Sequence, residues 1–388
     1  MRVIFDEIKK IFNPKMVFLL IIINVLMYFM FIEFDIKYFP NGRPAGDIFR
    51  VVTEMRKKYG THIDNKEFQD FKNIYNEKLK EVNKYIKENK EFKKCNINKY
   101  DEFLDQYDKY VLSDDKEGEE FRKLHSKIVF DEGVDLFWEI PERQRIIEDY
   151  ENKNKKIYRG YVDLNLKRKD RINEILSSGD ETSVFHDMII SNYNELMRYG
   201  SIIILLSTVF MISPIFIKDK KNKINYLQYT CKGGRGIFKK KIVAGIVASF
   251  IITTIQLACF FIIYSHNNTY KFLDCNINSI FSPTLFWYDL SFRKYIVITV
   301  IAIYMLVLAF SLIAMMISSL VKNYIGLVGF QVPIVIYTFI FILDKIIMNI
   351  FSIRDSKYFF EMWYLCIFLI PIILIVIVWR KEKVLDIV

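Results

Sequence analysis

The stretch Lys218–Lys241, KDKKNKINYLQYTCKGGRGIFKKK, decides the architecture of this 388-residue chain. It carries nine Lys or Arg residues (218, 220, 221, 223, 232, 235, 239, 240 and 241) against one acid, Asp219, and lies between two apolar runs of membrane-spanning length. Short loops this rich in Lys and Arg stay on the cytoplasmic side, because these residues resist translocation. Placing the loop inside fixes the side of every other segment. The expected fold is an all-α membrane protein with six transmembrane helices and a large, mainly helical extracellular domain between helices 1 and 2.

Composition points the same way. The chain is 52% hydrophobic yet 26% charged, a mixture that fits neither one soluble domain nor a bare helical bundle. Residues 35–197 hold 31 basic and 34 acidic side chains, and the remainder holds 24 basic and 11 acidic, so the net charge of +10 belongs to the apolar part. That asymmetry is what positive-inside topology produces. No separate basic domain is set aside for nucleic acid, so none is expected as a partner. Membrane lipid is expected, because basic segments at an inner surface attract anionic headgroups.

Working outward, residues 198–217 form the second expected span, which ends around Pro214. The third begins at Ile242 and runs to Tyr264. Its Ala244 and Ala248, and its Gly245 and Ser249, set small residues one turn apart and permit close helix contact. An external segment, 265–294, follows, with Trp287 and Tyr288 suited to the headgroup layer. Residues 295–320 and 324–343 are the fourth and fifth spans, 344–361 is external, 362–379 is the sixth span, and 380–388 is a cytoplasmic tail. Ahead of the loop, residues 1–15 read as an amphipathic helix on the inner surface. Val3 or Ile4, Ile8, and Ile11 or Phe12 share one face, opposite Asp6, Glu7, Lys9 and Lys10. Pro14 turns the chain into the first span, 16–34, which no cleavage site follows. Both termini are then cytoplasmic, in a multi-pass protein of the cell membrane.

Residues 35–197 would form the extracellular domain. Asp64 and Glu67 resemble a capping box, and Phe68, Phe71, Tyr75, Leu79, Val82 and Ile86 form one helical stripe behind it. Asn98 suits a helix cap, Pro141 a first helical position, and Leu166, Ile172 and Ile175 the apolar side of a further helix. The five cysteines show no metal spacing. Cys95 and Cys275 would both lie outside and can pair.

Several chemistries are missing. No GxxxxGK[ST] occurs, and the glycines at 233, 234 and 236 form no phosphate cradle, so the chain is not itself an ATPase by that route. No ionisable residue lies deep within an expected span, which disfavours ion-coupled carriers. The polar residues within spans are Asn24, Gln256, Gln331 and several Ser and Thr. They either hydrogen-bond across helices or line a substrate path.

Three features together resemble the permease subunits of bacterial type-two ABC exporters, in the drug, sodium or antimicrobial-peptide export group. One is FDEIKKIF at residues 5–12, similar to that family's elbow helix. Another is the end of span two with its loop, where Pro214, Asp219, Thr230, Lys232, Gly234, Arg235 and Lys239 to Lys241 match the family's pattern. The third is the six-span plan with an external piece between spans five and six. The resemblance covers residues 1–34 and 198–388. It implies an exporter of a peptide, antibiotic or lipid-like substrate, with two ABC ATPase subunits, a second permease chain, and ATP and Mg held by the ATPase rather than by this chain. It also implies a coupling helix in the loop, built on Tyr229, Thr230, Lys232, Gly233, Gly234 and Arg235. Cys231 and the additional Gly233 and Gly236 depart from the pattern. The alternatives are a membrane-anchored extracellular sensor or scaffold, which the long outer domain favours, and an intramembrane enzyme, which the missing ionisable cluster disfavours.

Overall fold

The computed structural model describes residues 2–112, 118–159, 166–224, 234 and 236–384. All regular elements among the described residues are helical, and the few β contacts are isolated bridges. In chain order, the main helices are α1 (Arg2–Ile11), α2 (Pro14–Phe31), α3 (Ala45–Tyr59), α4 (Asn65–Glu88), α5 (Tyr100–Tyr107), α6 (Glu119–His125) and α7 (Leu136–Glu151). They are followed by α8 (Leu166–Ser178), α9 (Asp187–Ile212), α10 (Pro214–Lys221), α11 (Gly236–Tyr264), α12 (Phe292–Leu320), α13 (Tyr324–Tyr337) and α14 (Phe359–Val384). The chain divides into two compact units.

The first unit comprises residues 1–39, 189–270 and 286–388. Its helices make this a multi-pass membrane protein: Pro14–Phe31, Asp187–Lys221, Gly236–Asn267, Phe292–Leu320 and Phe359–Lys383 are long and apolar enough to cross a bilayer. The sixth expected crossing, Tyr324–Ile340, is apolar but shorter, about 25 Å at 1.5 Å per residue. The helix that carries the second expected span, 198–217, extends beyond it on both sides, from Asp187 to Lys221. Asn13 caps α2 by accepting from the Lys15 N–H at 3.0 Å, and Pro14 opens the helix where its missing donor costs nothing. Within the bundle α12 packs along α14 and α11, and α1 lies against α11. The small-residue face of α11 makes this possible. Ala244 and Ala248 are fully buried, and a Cβ on Gly245 would collide with Met315 Sδ of α12.

The second unit comprises residues 40–188 and 271–285. The capping box at the start of α4 forms as expected, with Glu67 N–H donating to Asp64 Oδ1 at 2.7 Å and Asp64 N–H to Glu67 Oε2 at 2.9 Å. The stripe behind it faces inward: Phe68, Phe71, Val82 and Ile86 are buried. Phe137 stacks on Phe92 and meets Phe103 edge-on in the same core. Segment 271–285, part of the expected external loop, is stitched to residues 181–187. Ile280 N–H donates to Glu181 O at 2.9 Å and Ser279 Oγ to Ser183 O at 2.7 Å.

Four details differ from expectation. Asn98 is not a cap: its N–H donates to Glu102, while Asn83 Oδ1 accepts from the Tyr100 N–H that opens α5. Pro141 sits inside α7, since burial of Phe137 and Ile140 and the Trp138 Nε1 bond to Val129 O extend the helix back to Leu136. Leu166 is 79% exposed, although Ile172 and Ile175 of the same helix are buried. Cys95 and Cys275 are separate free thiols, the second fully buried.

This unit also buries charge. Arg143, 3% exposed, bridges Glu139 and Glu54, and Arg50 bridges Asp47 and Glu139. Glu142 Oε2 is buried without a hydrogen bond. Burial pushes the Glu142 carboxyl above its ordinary range, against the pull of Arg145 and with help from the Asp47 charge. A raised carboxyl binds its proton more tightly in the folded state. Its contribution therefore favours folding at low pH and is lost as pH rises through the raised value. Glu142→Gln should slow amide hydrogen exchange across α7 at about pH 7, while the two proteins should match near pH 4, below the ordinary glutamate value. Equal exchange at both pH values would contradict this.

Candidate functional site

The N-terminal helix shows what the periodicity concealed. Its inward residues are Ile4, Glu7, Ile8 and Ile11, one face at spacings of three and four, and Glu7 belongs to it rather than to the polar face. Glu7 is tolerated there because Lys241, 2% exposed near the start of α11, reaches it. Lys241 Nζ donates to Glu7 Oε2 at 3.2 Å, to Asp219 Oδ2 at 2.5 Å and to the Ile215 carbonyl at 2.9 Å. Three donors meet three acceptors, so the ammonium is fully satisfied. Lys10 adds a second cation, 2.7 Å from Glu7 Oε1 and 3.8 Å from Asp219 Oδ2. Burial would depress the Lys10 ammonium, but the hydrogen bond and charge of Glu7, with Asp219 and Asp6, outweigh it and hold Lys10 above its ordinary value. Phe216 and Phe238 close over the cluster, their rings 4.8 Å apart, with Lys241 5.5 Å from the Phe216 ring.

This cluster joins three elements: α1, the end of the second span at α10, and the start of the third at α11. Asp219 and Lys241 therefore tie the two ends of the basic loop to each other and to α1. Of the six loop residues expected to form a coupling element, Gly234 is described. It has φ +46°, a left-handed conformation that suits glycine, and its carbonyl accepts from Ile237 N–H as α11 begins. Tyr229, Thr230, Lys232, Gly233 and Arg235 lie outside the described residues, as does Cys231.

Above the cluster, α9 stops at Ile212 and α10 restarts at Pro214. The free N–H groups of Phe216 and Ile217 in that restart donate to Ser318 Oγ of α12, at 3.3 and 3.2 Å. A neighbouring helix thus supplies what the Pro214 break removes.

The three amides singled out from the sequence fall into two places. Asn24 and Gln256 come together around Ser207. Gln256 Nε2 donates to Asn24 Oδ1 at 2.5 Å and to Ser207 Oγ at 2.7 Å, and Asn24 Nδ2 donates to Ser207 Oγ at 3.1 Å. They tie α2, α9 and α11. Gln331 is elsewhere: it accepts from Ser213 Oγ at 2.8 Å and donates to Ala314 O at 3.4 Å, linking α13 to the break and to α12.

Gln331 and Ser213 also border a groove of about 690 Å³, which runs between α1, the second span and α13. Leu206, Val209, Phe210, Val328, Val332 and Phe339 give it apolar walls. Glu7, Lys10, Lys218, Asp219 and Tyr324 gather at one end. No cluster of His, Cys, Asp or Glu suited to a metal occurs among the described residues.

Sequence reasoning missed the buried cluster, although two signals were present: a single acid in a basic loop, and an acid at the centre of the Ile4, Ile8, Ile11 spacing. Two outcomes follow. Lys241→Met leaves two buried carboxylates without their main partner and should lower stability by about 3 kcal/mol, whereas adding Glu7→Gln and Asp219→Asn should restore most of it. The measurement is thermal unfolding of the purified chain in detergent, and an unchanged single variant would contradict the cluster. A double-mutant cycle of Asn24→Ala with Gln256→Ala should show coupling of about 0.6 to 1.7 kcal/mol. Gln331→Ala should add to either within about 0.5 kcal/mol, as separate sites do. Comparison of this chain with protein-family models, curated proteins and solved structures finds no match.

Proposed function

We propose that this chain is the membrane-spanning permease subunit of an ATP-driven exporter whose motor is a separate ABC-type ATPase. The proposal includes six crossings, the shorter Tyr324–Ile340 helix among them, with both termini and the basic loop cytoplasmic and the unit built on residues 40–188 outside. Two ATPase subunits and a second permease chain complete the assembly, and ATP and Mg belong to the ATPase. The substrate is a peptide, an antibiotic or a lipid-like molecule.

One observation carries this reading: the two ends of the basic loop are bonded to each other and to α1 through Lys241, Asp219 and Glu7. A force applied to a loop held this way reaches the second span, the third span and α1 together, which is what a permease needs from its motor contact. The density of Lys and Arg on that loop supports its inward placement. The absence of a phosphate-binding loop motif from the sequence supports a separate ATPase.

Within the loop, Arg235 is assigned the bidentate contact to an ATPase carboxylate. Arg235→Glu should leave the amount of chain in the membrane unchanged and reduce co-purification with its ATPase by about tenfold, the effect of losing one charge-assisted pair. Normal complex yield and normal transport would overturn the assignment. If the unaltered chain captures no ATPase, and a thiol placed at Lys232 is labelled from outside intact cells, the exporter reading fails and the sensor reading replaces it.

A further inference from the structure

We propose that the groove between α1, the second span and α13 binds one anionic phospholipid drawn from the surrounding bilayer. This inference needs the chain to lie in a membrane and does not depend on transport.

The shape of the groove supports a lipid. Along the second span it is lined from Leu206 to Asp219, and along α13 and its continuation from Tyr324 to Phe339. At 1.5 Å per residue, each wall is about 20 Å long. That length matches one leaflet: half of a hydrocarbon core of about 30 Å, with a headgroup beyond it.

The distribution of polarity says which way the molecule lies. The charged lining residues, Glu7, Lys10, Lys218 and Asp219, are all at one end. Midway, Ser213 and Gln331 bond to each other, and the Gln331 amide is completed by Ala314 O. That pairing engages the Ser213 hydroxyl, the Gln331 carbonyl oxygen and one of the two Gln331 N–H donors, so the middle of the groove holds little for a peptide or sugar to bond. It suits acyl chain.

The charge at the polar end selects the headgroup. Glu7 and Asp219 are bonded from behind by Lys241 and from the groove side by Lys10. Lys218 is exposed and forms no ion pair with any described residue. Among the described residues that line the polar end, together with Lys241 behind them, three cations face two carboxylates, and Lys218 carries the unmatched positive charge. A phosphodiester whose headgroup brings no cation of its own is the complement. A phosphocholine headgroup brings a compensating ammonium and gains less.

The test uses the full-length chain in vesicles of phosphatidylcholine that contain a trace of photoactivatable lipid, with a diazirine on the acyl chain and either a phosphatidylglycerol or a phosphatidylcholine headgroup. Crosslinked peptides are mapped after illumination. The phosphatidylglycerol probe should label 206–210 and 327–339 about fivefold more than the phosphatidylcholine probe, the preference expected from one surface lysine. Lys218→Gln should remove the preference. Val332→Trp, which fills the groove and leaves the charges alone, should lower labelling by both probes there. Labelling of the lipid-facing patch at Ile246, Val247 and Phe250 should stay constant in all variants, which reports a folded bundle. Equal labelling by the two probes, a preference that survives Lys218→Gln, or groove labelling untouched by Val332→Trp would each overturn the proposal.

Discussion

The bundle depends on keeping the Lys241 ammonium ionised inside protein. Taking one such ion out of water costs several kcal/mol, and the cost is recovered only when its geometry and hydrogen bonds are nearly complete. Here both conditions hold. Two carboxylates and a carbonyl take all three protons, and Lys10 balances the second negative charge. Each acceptor comes from a different place: Glu7 from α1, Asp219 from the end of α10, and the Ile215 carbonyl from the turn before it. None of the three can shift along its axis without stranding a charge. Buried ion pairs add little net stability compared with apolar packing, but they penalise wrong arrangements steeply. In a helical bundle that exposes many large apolar side chains, that penalty fixes the rotation of α1 and the approach of two spans.

The remaining contacts within the bundle follow from the same shortage of directional force. Lipid is as apolar as the side chains that face it, so helices gain nothing from hydrophobic association and rely on close packing and polar bonds. The structure uses both. Gly245 lets α11 approach Met315, and Ala244 and Ala248 continue the contact. Asn24, Ser207 and Gln256 join the first three spans at one level, and Ser213 and Gln331 join the second span to α13 at another. The break at Pro214 is stable because Ser318 receives the two freed N–H groups. Polar residues are few along these spans, and each of those named stands where two helices meet.

Much of this was legible in the sequence. The apolar runs, the capping box at Asp64 and Glu67, the stripe from Phe68 to Ile86 and the small-residue face of the third span are local patterns, each decided by residues within a few turns of one another. What escaped was decided at a distance. Glu7 looks like a surface acid by its chemistry, and only a partner more than two hundred residues away explains why it faces inward. The same holds for Pro141, which reads as a helix start until the packing of Phe137 and Ile140 draws the helix back, and for Asn98, whose capping role passes to Asn83 on another helix. Segment 271–285 carries no periodicity of its own, so its attachment to residues 181–187 is written in loop hydrogen bonds that no pattern announces. Asn24 and Gln256 were visible as residues, and their grouping apart from Gln331 depends on the rotation of three spans.

Glu7 also links the cluster to the groove. One of its oxygens holds Lys241, and the other holds Lys10 on the groove wall. If the ends of the basic loop part and Lys241 withdraws, the negative charge left on Glu7 and Asp219 falls to Lys10 alone, and the groove mouth loses its excess of positive charge. An anion seated there would then be held less firmly. By linkage the effect runs both ways: an anion at the mouth favours the arrangement in which Lys241 stays bonded to both carboxylates. A membrane rich in anionic lipid would therefore bias the position of the loop through one shared glutamate, with no path longer than two hydrogen bonds.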